Sequence, residues 1–166
     1  MKTLLIIRHA KSSWEHADKS DFDRPLNHRG LRDAPAMASR LIKAGVTIDR
    51  FVSSPAKRAR QTAELFIHAF GKKEKEILFI PELYHASLET FKTVVTGLDP
   101  KDDNVALFSH NPGITVFANI LSTVRLDNMP TCAVFAVKST APDWDGFLTS
   151  NPQFWFFDYP KSGEQE

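Results

Sequence analysis

Six short apolar runs, at residues 4–7, 51–52, 77–80, 105–108, 133–137 and 154–157, punctuate the chain, and each reads as a buried strand. Helical spacing fills most of the gaps between them. Strands that alternate with helices need crossover connections. The pattern therefore predicts a three-layer α/β/α fold, with a mostly parallel central sheet and helices on both faces. The last two runs follow each other with no helical pattern between them, so an antiparallel edge strand is expected there.

The helices are marked by their ends. Asn27 is placed to cap a helix whose apolar face is Leu31, Ala34, Ala38, Leu41 and Ile42, with Gly45 ending it. Pro35 falls inside that pattern, where it removes a hydrogen bond and should kink the helix. A second helix has Ser54 as cap, Pro55 at its first position, a stripe of Ala59, Ala63, Phe66 and Phe70, and Gly71 as its stop. Ser87 starts a third, which Gly97 or Asp99-Pro100 ends. Asn111-Pro112-Gly113 opens a fourth, with Ile114, Phe117, Ile120 and Leu121 as its buried face. Residues 14–25 are polar and charged, a loop over the strand ends, and residues 72–75 form a charged surface turn. With no repeat, low-complexity tract or linker, residues 1–160 read as one domain and residues 161–166 as a frayed tail.

Composition narrows the chemistry. A chain of 166 residues, 42% of them hydrophobic, is long enough for one domain with a sizeable core. Its 21 basic and 20 acidic residues nearly cancel to +1, which leaves no general basic field for nucleic acid. Cys132 is the single cysteine, so no intrachain disulfide or cysteine-based metal site forms, which fits a reducing compartment. The apolar start is too short for a signal peptide and no run approaches a membrane span, so a soluble, cytoplasmic protein is expected. Oligomeric state leaves no mark on the sequence.

Three strand ends carry polar residues of one chemical kind. Arg8-His9 follow the first run, Ser53-Ser54-Pro55 and then Arg58 and Arg60 the second, and Ser109-His110-Asn111-Pro112 the fourth. Ligands of open α/β sheets gather beyond the carboxyl ends of strands. Helix starts add free N–H groups and positive dipole ends, so two of these places favour an anion. A neutral imidazole can attack phosphorus and hold a phosphoryl group, and guanidinium groups can grip its oxygens. Arg58 and Arg60 lie two apart on a helix and point to different faces. Arg58, nearer the helix start, is expected to face the strand ends. The plainer alternative is a set of solvated charges at the surface.

Arg8-His9-Ala10, Ser53-Ser54-Pro55-Ala56-Lys57-Arg58-Ala59-Arg60-Gln61-Thr62-Ala63 and Ser109-His110-Asn111-Pro112, in that order and each after a strand, resemble the histidine phosphatase superfamily. That superfamily includes the cofactor-dependent phosphoglycerate mutases. The small size, with Arg24-Pro25-Leu26-Asn27 and Pro81-Glu82-Leu83-Tyr84, is most similar to its compact SixA-type phosphohistidine phosphatase branch. The resemblance implies that His9 accepts the phosphoryl group and that Arg8, Arg58 and His110 bind its oxygens. Arg24, Ser12, Asn111 and His85 follow as substrate-binding candidates, and Asn27 as a helix cap rather than a ligand.

The physics is consistent with those roles. Two guanidinium groups beside His9 disfavour a third positive charge and keep the imidazole neutral for attack. His110 is expected to act in its charged form once phosphate is bound, donating to an oxygen. At an effective dielectric near 20, opposite unit charges ~4 Å apart attract by about 4 kcal/mol. Several such contacts, strengthening as charge spreads onto the oxygens, can replace the metal ions of other phosphoryl-transfer enzymes, so no metal or other cofactor is expected.

The chain departs from the family pattern at one place. Many members carry a proton-donating glutamate two residues past the leucine matching Leu83. Here that position is His85, with Glu82 before it and Glu89 on the next helix. Without a well-placed acid, alkoxide leaving groups are expelled slowly. A phosphoramidate differs, because its imidazole can be protonated on the far nitrogen and leave as a neutral molecule. The mutases also carry a long insertion where residues 85–104 are short, and an uncovered site suits a phosphorylated protein surface. The expected function is a metal-independent phosphatase of protein phosphohistidine, its partner a signalling phosphotransfer domain. The alternatives are a phosphatase or mutase of a small phosphate ester, with His85 as proton donor, and a non-catalytic phosphate-binding domain.

Other residues read plainly. His16, His28 and His68 fit no motif, and the histidines show no metal-ligand spacing. Lys138, not arginine, stands six residues after Cys132, against a cysteine-type phosphatase. Trp144, Phe147, Trp155, Phe156 and Phe157 read as core and edge packing, since no basic residues interleave with them.

Overall fold

The computed structural model describes residues 1–15 and 18–161; His16 and residues 162–166 of the expected tail lie outside them. In chain order the elements are β1 (Lys2–Arg8), α1 (His28–Lys43), β2 (Arg50–Ser53), α2 (Lys57–Ala69), β3 (Ile77–Phe79), α3 (Leu88–Thr96), β4 (Asn104–Ser109), α4 (Gly113–Leu121), β5 (Val134–Ser139) and β6 (Gln153–Asp158). Short 3₁₀ turns at Glu74–Glu76 and Pro81–Leu83 flank β3.

The sheet has six strands in the order β3-β2-β4-β1-β5-β6. β1 and β2 both run parallel to β4, and β3 parallel to β2. β5 runs antiparallel to both β1 and β6, so the reversal falls one strand inside the edge and β6 again runs with β1. This is the expected α/β sheet, with the antiparallel strand one place further in.

Successive residues of β1 serve opposite layers. Leu5 and Ile7 pack with Ala106, Phe108, Phe51 and the inward faces of α1 and α2, including Met37, Leu41 and Phe66. Leu4 and Ile6 pack with Val52, Val105, Leu107 and residues of α3 and α4, including Phe91, Val95, Ile114 and Phe117. Both sheet faces are covered, which is why the central strands read as unbroken apolar runs rather than alternating ones. Burying each such large side chain contributes roughly 1.5–3 kcal/mol.

Three helix-face expectations are corrected. Leu31, Ile42 and Ile120 are exposed. The buried stripe of α1 is Gly30, Ala34, Met37, Ala38 and Leu41, and that of α4 is Ile114, Phe117, Ala118 and Leu121; Leu31, Ile42 and Ile120 each adjoin a stripe residue in the chain, a step of about 100° that carries them off the buried face. Pro35 sits inside α1, which continues to Lys43 with that stripe holding it on the sheet across the missing N–H. Asn27 and Ser87 cap α1 and α3 as expected, and Gly97 ends α3.

The start of α2 is corrected as well. Ala56 occupies the cap position and the helix begins at Lys57, so neither Ser54 nor Pro55 belongs to it. The Ser54 hydroxyl is turned to other partners, described below.

Candidate active site

The sheet order sets the polar strand ends side by side. β2, β4 and β1 are neighbours, and Arg8 pairs with Ser109 in register. The three pieces of chain that carry Arg8-His9, Ser53-Ser54 and Ser109-His110 therefore end at one edge of the sheet, although about fifty residues separate each from the next.

His9 is buried, and its Nδ1 lies 2.8 Å from the Ala10 carbonyl oxygen. A carbonyl can only accept, so Nδ1 carries the proton and Nε2 is the unprotonated nitrogen. Arg58 Nε points at that Nε2 from 3.4 Å. Burial first, then His110, Arg58 and Arg8, hold the His9 ring well below its ordinary pKa against the opposing pull of the Ala10 hydrogen bond. The result is a neutral imidazole, which the expected role of phosphoryl acceptor requires.

Arg58 faces inward, as its place in the helix predicts. Its Nη1 donates to the Asp21 backbone carbonyl at 2.7 Å and its Nη2 to the Asp21 carboxylate at 3.1 Å. Arg60 lies on the exposed side of α2, near Glu64. Arg8 donates from Nη1 to the Met129 carbonyl at 2.8 Å, while its buried Nε has no partner among the described residues.

His110 is buried, its ring centroid 5.2 Å from that of His9 and 5.6 Å from that of Tyr84. Burial first, then Arg58 and His85, push it down to about 3. Its ring is therefore neutral at neutral pH in this structure.

The remaining candidates divide. Arg24 donates to the Ser12 hydroxyl and, at 3.2 Å, to the Asp21 carboxylate, while its guanidinium stacks 3.9 Å over the Trp14 ring. Arg24 and Ser12 thus brace the loop beside the site. Asn111 is committed elsewhere: it donates to Asn128 and to the Met129 carbonyl and accepts from Thr115, so the substrate-binding expectation for it is corrected. His85 is exposed at the rim, with its ring centroid 4.0 Å from that of Tyr84. Glu89 is exposed and reaches Lys92 at 3.4 Å. The helix starts are less open than expected, because the Lys57 N–H at the head of α2 donates to the Phe22 carbonyl at 2.9 Å.

Several residues that shape the site were not singled out in the sequence. Asp21 accepts from Arg58 and Arg24, and also from the Tyr84 hydroxyl at 2.6 Å. The Thr62 hydroxyl donates to the Arg58 carbonyl at 2.7 Å and accepts the Ala10 N–H at 3.0 Å, locking α2 to the loop after His9. Gln61 accepts the Leu26 N–H at 2.9 Å. Gly30 lets α1 start close to that same loop, since a Cβ there would stand 2.2 Å from the Lys11 carbonyl oxygen. Among the described residues, no group of three or more His, Cys, Asp or Glu side chains is arranged to hold a metal ion.

The family model described as histidine phosphatase superfamily (branch 1) matches residues 4–93, more than half of the chain. The chain belongs to the histidine phosphatase superfamily. An uncharacterized chloroplastic protein of Arabidopsis thaliana is 28% identical over 163 residues, which cover 93% of this chain and 74% of that protein. The histidine phosphatase fold recurs in solved structures. A putative phosphohistidine phosphatase SixA from Agrobacterium tumefaciens superposes with a TM-score of 0.80 at 24% identity, covering 96% of this chain and 98% of that one. A protein histidine phosphatase SixA complexed with tungstate gives the same TM-score and identity over 95% of this chain and 97% of that one. No helix among the described residues of this histidine phosphatase is long and apolar enough to cross a membrane.

Proposed function

We propose that this protein hydrolyses phosphohistidine on a protein partner, without a metal, through a phosphoryl group carried on His9 Nε2. The observation that carries the reading is the unprotonated Nε2 of a buried, neutral His9, with its Nδ1 proton held by the Ala10 carbonyl and the Arg58 guanidinium against Nε2 at 3.4 Å. The SixA structure with tungstate supports an oxyanion site in this fold.

In the first step His9 Nε2 attacks phosphorus in line. The bond from phosphorus to the substrate imidazole breaks, and that imidazole leaves neutral, already protonated on its far nitrogen. In the second step water attacks the phosphorus on His9, releasing inorganic phosphate and the free imidazole. Arg8, Arg58 and His110 hold the three non-bridging oxygens as charge builds on them.

Asp21 bears on the choice of substrate. Its carboxylate is held well below the usual range by the Tyr84 hydrogen bond first, then by Arg58 and Arg24 against a desolvation that opposes them. An acid that is always ionised cannot protonate an alkoxide. That favours a leaving group that needs no enzyme proton. The rival reading, a small phosphate ester, takes as its proton donor His85, whose ring lies against Tyr84 at the rim.

A phosphorylated histidine protein and an aryl phosphate ester, assayed side by side, test the choice. Phosphohistidine is expected to turn over faster, and His85→Ala to leave that rate unchanged. Faster ester turnover that His85→Ala abolishes would establish the rival. Acid-labile phosphate trapped on the wild type and missing from His9→Ala is expected; no trapped label and no turnover would leave a phosphate-binding domain.

A further inference from the structure

Ser54 lies just past the end of β2 and is completely buried. Its backbone is fully engaged: the N–H donates to the Phe108 carbonyl at 3.0 Å, and the carbonyl accepts from the Ser53 hydroxyl at 2.8 Å. Its Oγ accepts the Ala56 N–H at 3.2 Å and stands 2.8 Å from His110 Nε2. The other ring nitrogen, His110 Nδ1, is buried and has no hydrogen-bond partner among the described residues.

Two proton arrangements fit that distance. If Nε2–H donated to Ser54, the hydroxyl oxygen would face two donors and its own proton would have no acceptor among the described residues. Nδ1 would then be a bare lone pair in a site that must take an anion. If the hydroxyl donates to Nε2 instead, its oxygen keeps the Ala56 N–H and Nδ1 carries the proton. Every group is then satisfied except one N–H donor.

We propose that Ser54 fixes His110 as its Nδ1–H tautomer, so that a neutral imidazole donates a hydrogen bond to a phosphoryl oxygen held beside His9. Ser54 is thus a positioning residue, acting through His110. The inference rests on the reading of His9 as phosphoryl acceptor, and it replaces a charged His110 with a neutral one. Burial first, then Arg58 on α2, His85 at the rim and Arg24 in the loop before α1, keep His110 neutral, and Asp21 opposes them. A ring that stays neutral has one proton to give, so which nitrogen holds it decides whether the ring attracts or repels an oxyanion.

Nitrogen-15 NMR of histidine-labelled protein, with His110 assigned through His110→Gln, reads the tautomer without any turnover. The wild type is expected to show a protonated Nδ1 and a pyridine-type Nε2 at neutral pH. The opposite tautomer, or a charged ring, would overturn the inference whatever the substrate. In Ser54→Ala the tautomers are expected to mix and orthovanadate to bind about two- to fivefold more weakly, in proportion to the fraction of rings no longer Nδ1–H. Ser54→Thr, which keeps the hydroxyl, is expected to hold both close to wild type. Wild-type vanadate affinity in a folded Ser54→Ala would also overturn it. The label-trapping experiment on His9 tests the parent reading separately.

Discussion

Asp21 grips Arg58 from both of its ends, its backbone carbonyl on Nη1 at 2.7 Å and its carboxylate on Nη2 at 3.1 Å. The guanidinium that faces His9 is therefore aimed by an anion. The same anion offsets part of its charge. Because the Tyr84 hydroxyl holds that carboxylate at 2.6 Å, the arrangement ties the loop before α1 to the turn after β3 across the mouth of the site.

Asp21→Asn separates the two effects. An amide oxygen can still accept from Arg58 and Tyr84, and the backbone carbonyl is untouched, so the aim is kept while the charge is lost. Inorganic phosphate is expected to inhibit the variant more strongly, by up to about fivefold for so exposed a carboxylate. Competitive inhibition measured beside the wild type checks this. Equal or weaker inhibition would mean that Asp21 only aims the arginine.

Arg58→Lys keeps a positive charge and discards the geometry. A single ammonium cannot reach His9 with one nitrogen and Asp21 with two others, as the guanidinium does. The expected cost is roughly 10²–10³-fold in kcat on an aryl phosphate, the scale of losing a placed oxyanion donor. A drop below tenfold would show that charge alone suffices.

Much of this was legible in the sequence because it depends on local periodicity. Leu4 to Ile7 had to be a strand covered on both sides, and Arg8-His9 had to end it. The two-residue spacing of Arg58 and Arg60 let only one turn inward, and nearness to the helix start singled out Arg58. Contacts between distant segments left weaker marks. Asp21 sits in a polar loop where any carboxylate looks solvated, and only its docking under Arg58 and Tyr84 gives it a role. Ser54 before Pro55 carries the signature of a helix cap, yet burial beside His110 gave its hydroxyl a different partner. Asn111 shares a motif with His110, but its amide is consumed by Thr115, Asn128 and Met129, none near it in sequence except Thr115.

Thr62 gives a test of how rigidly His9 is held. Its hydroxyl joins the Arg58 carbonyl to the Ala10 N–H, one residue past His9. Thr62→Val fits the same space but leaves that buried N–H unpaired, a cost of about 1–3 kcal/mol. Lower stability in urea and a reduced kcat are expected together. Thr62→Ser, which keeps the oxygen, should recover most of both.

The buried histidines make stability depend on pH. His110 titrates near 6.5 when unfolded and at about 3 in the fold, and His9 is likewise held well below its ordinary value, chiefly by burial. Above about pH 6.5 both states leave these rings neutral and neither contributes a slope. Below it the unfolded chain binds protons that the native chain refuses, so stability falls as pH falls, by about 1.4 kcal/mol per pH unit for each histidine. For His110 the decline runs down to its folded value, whereas Asp21, also depressed, adds to it only below about pH 4, the ordinary carboxylate range. Urea unfolding followed from about pH 7 to about pH 5 should show a falling midpoint at unchanged m-value. His110→Gln should remove about half of that slope. Over the same interval kcat/KM should show no acid limb near 6.5 from His9, because its imidazole stays neutral there. A limb at that pH that persists in both His110→Gln and His85→Ala, on a substrate that does not titrate there, would mean that the His9 imidazole is not held neutral by its surroundings.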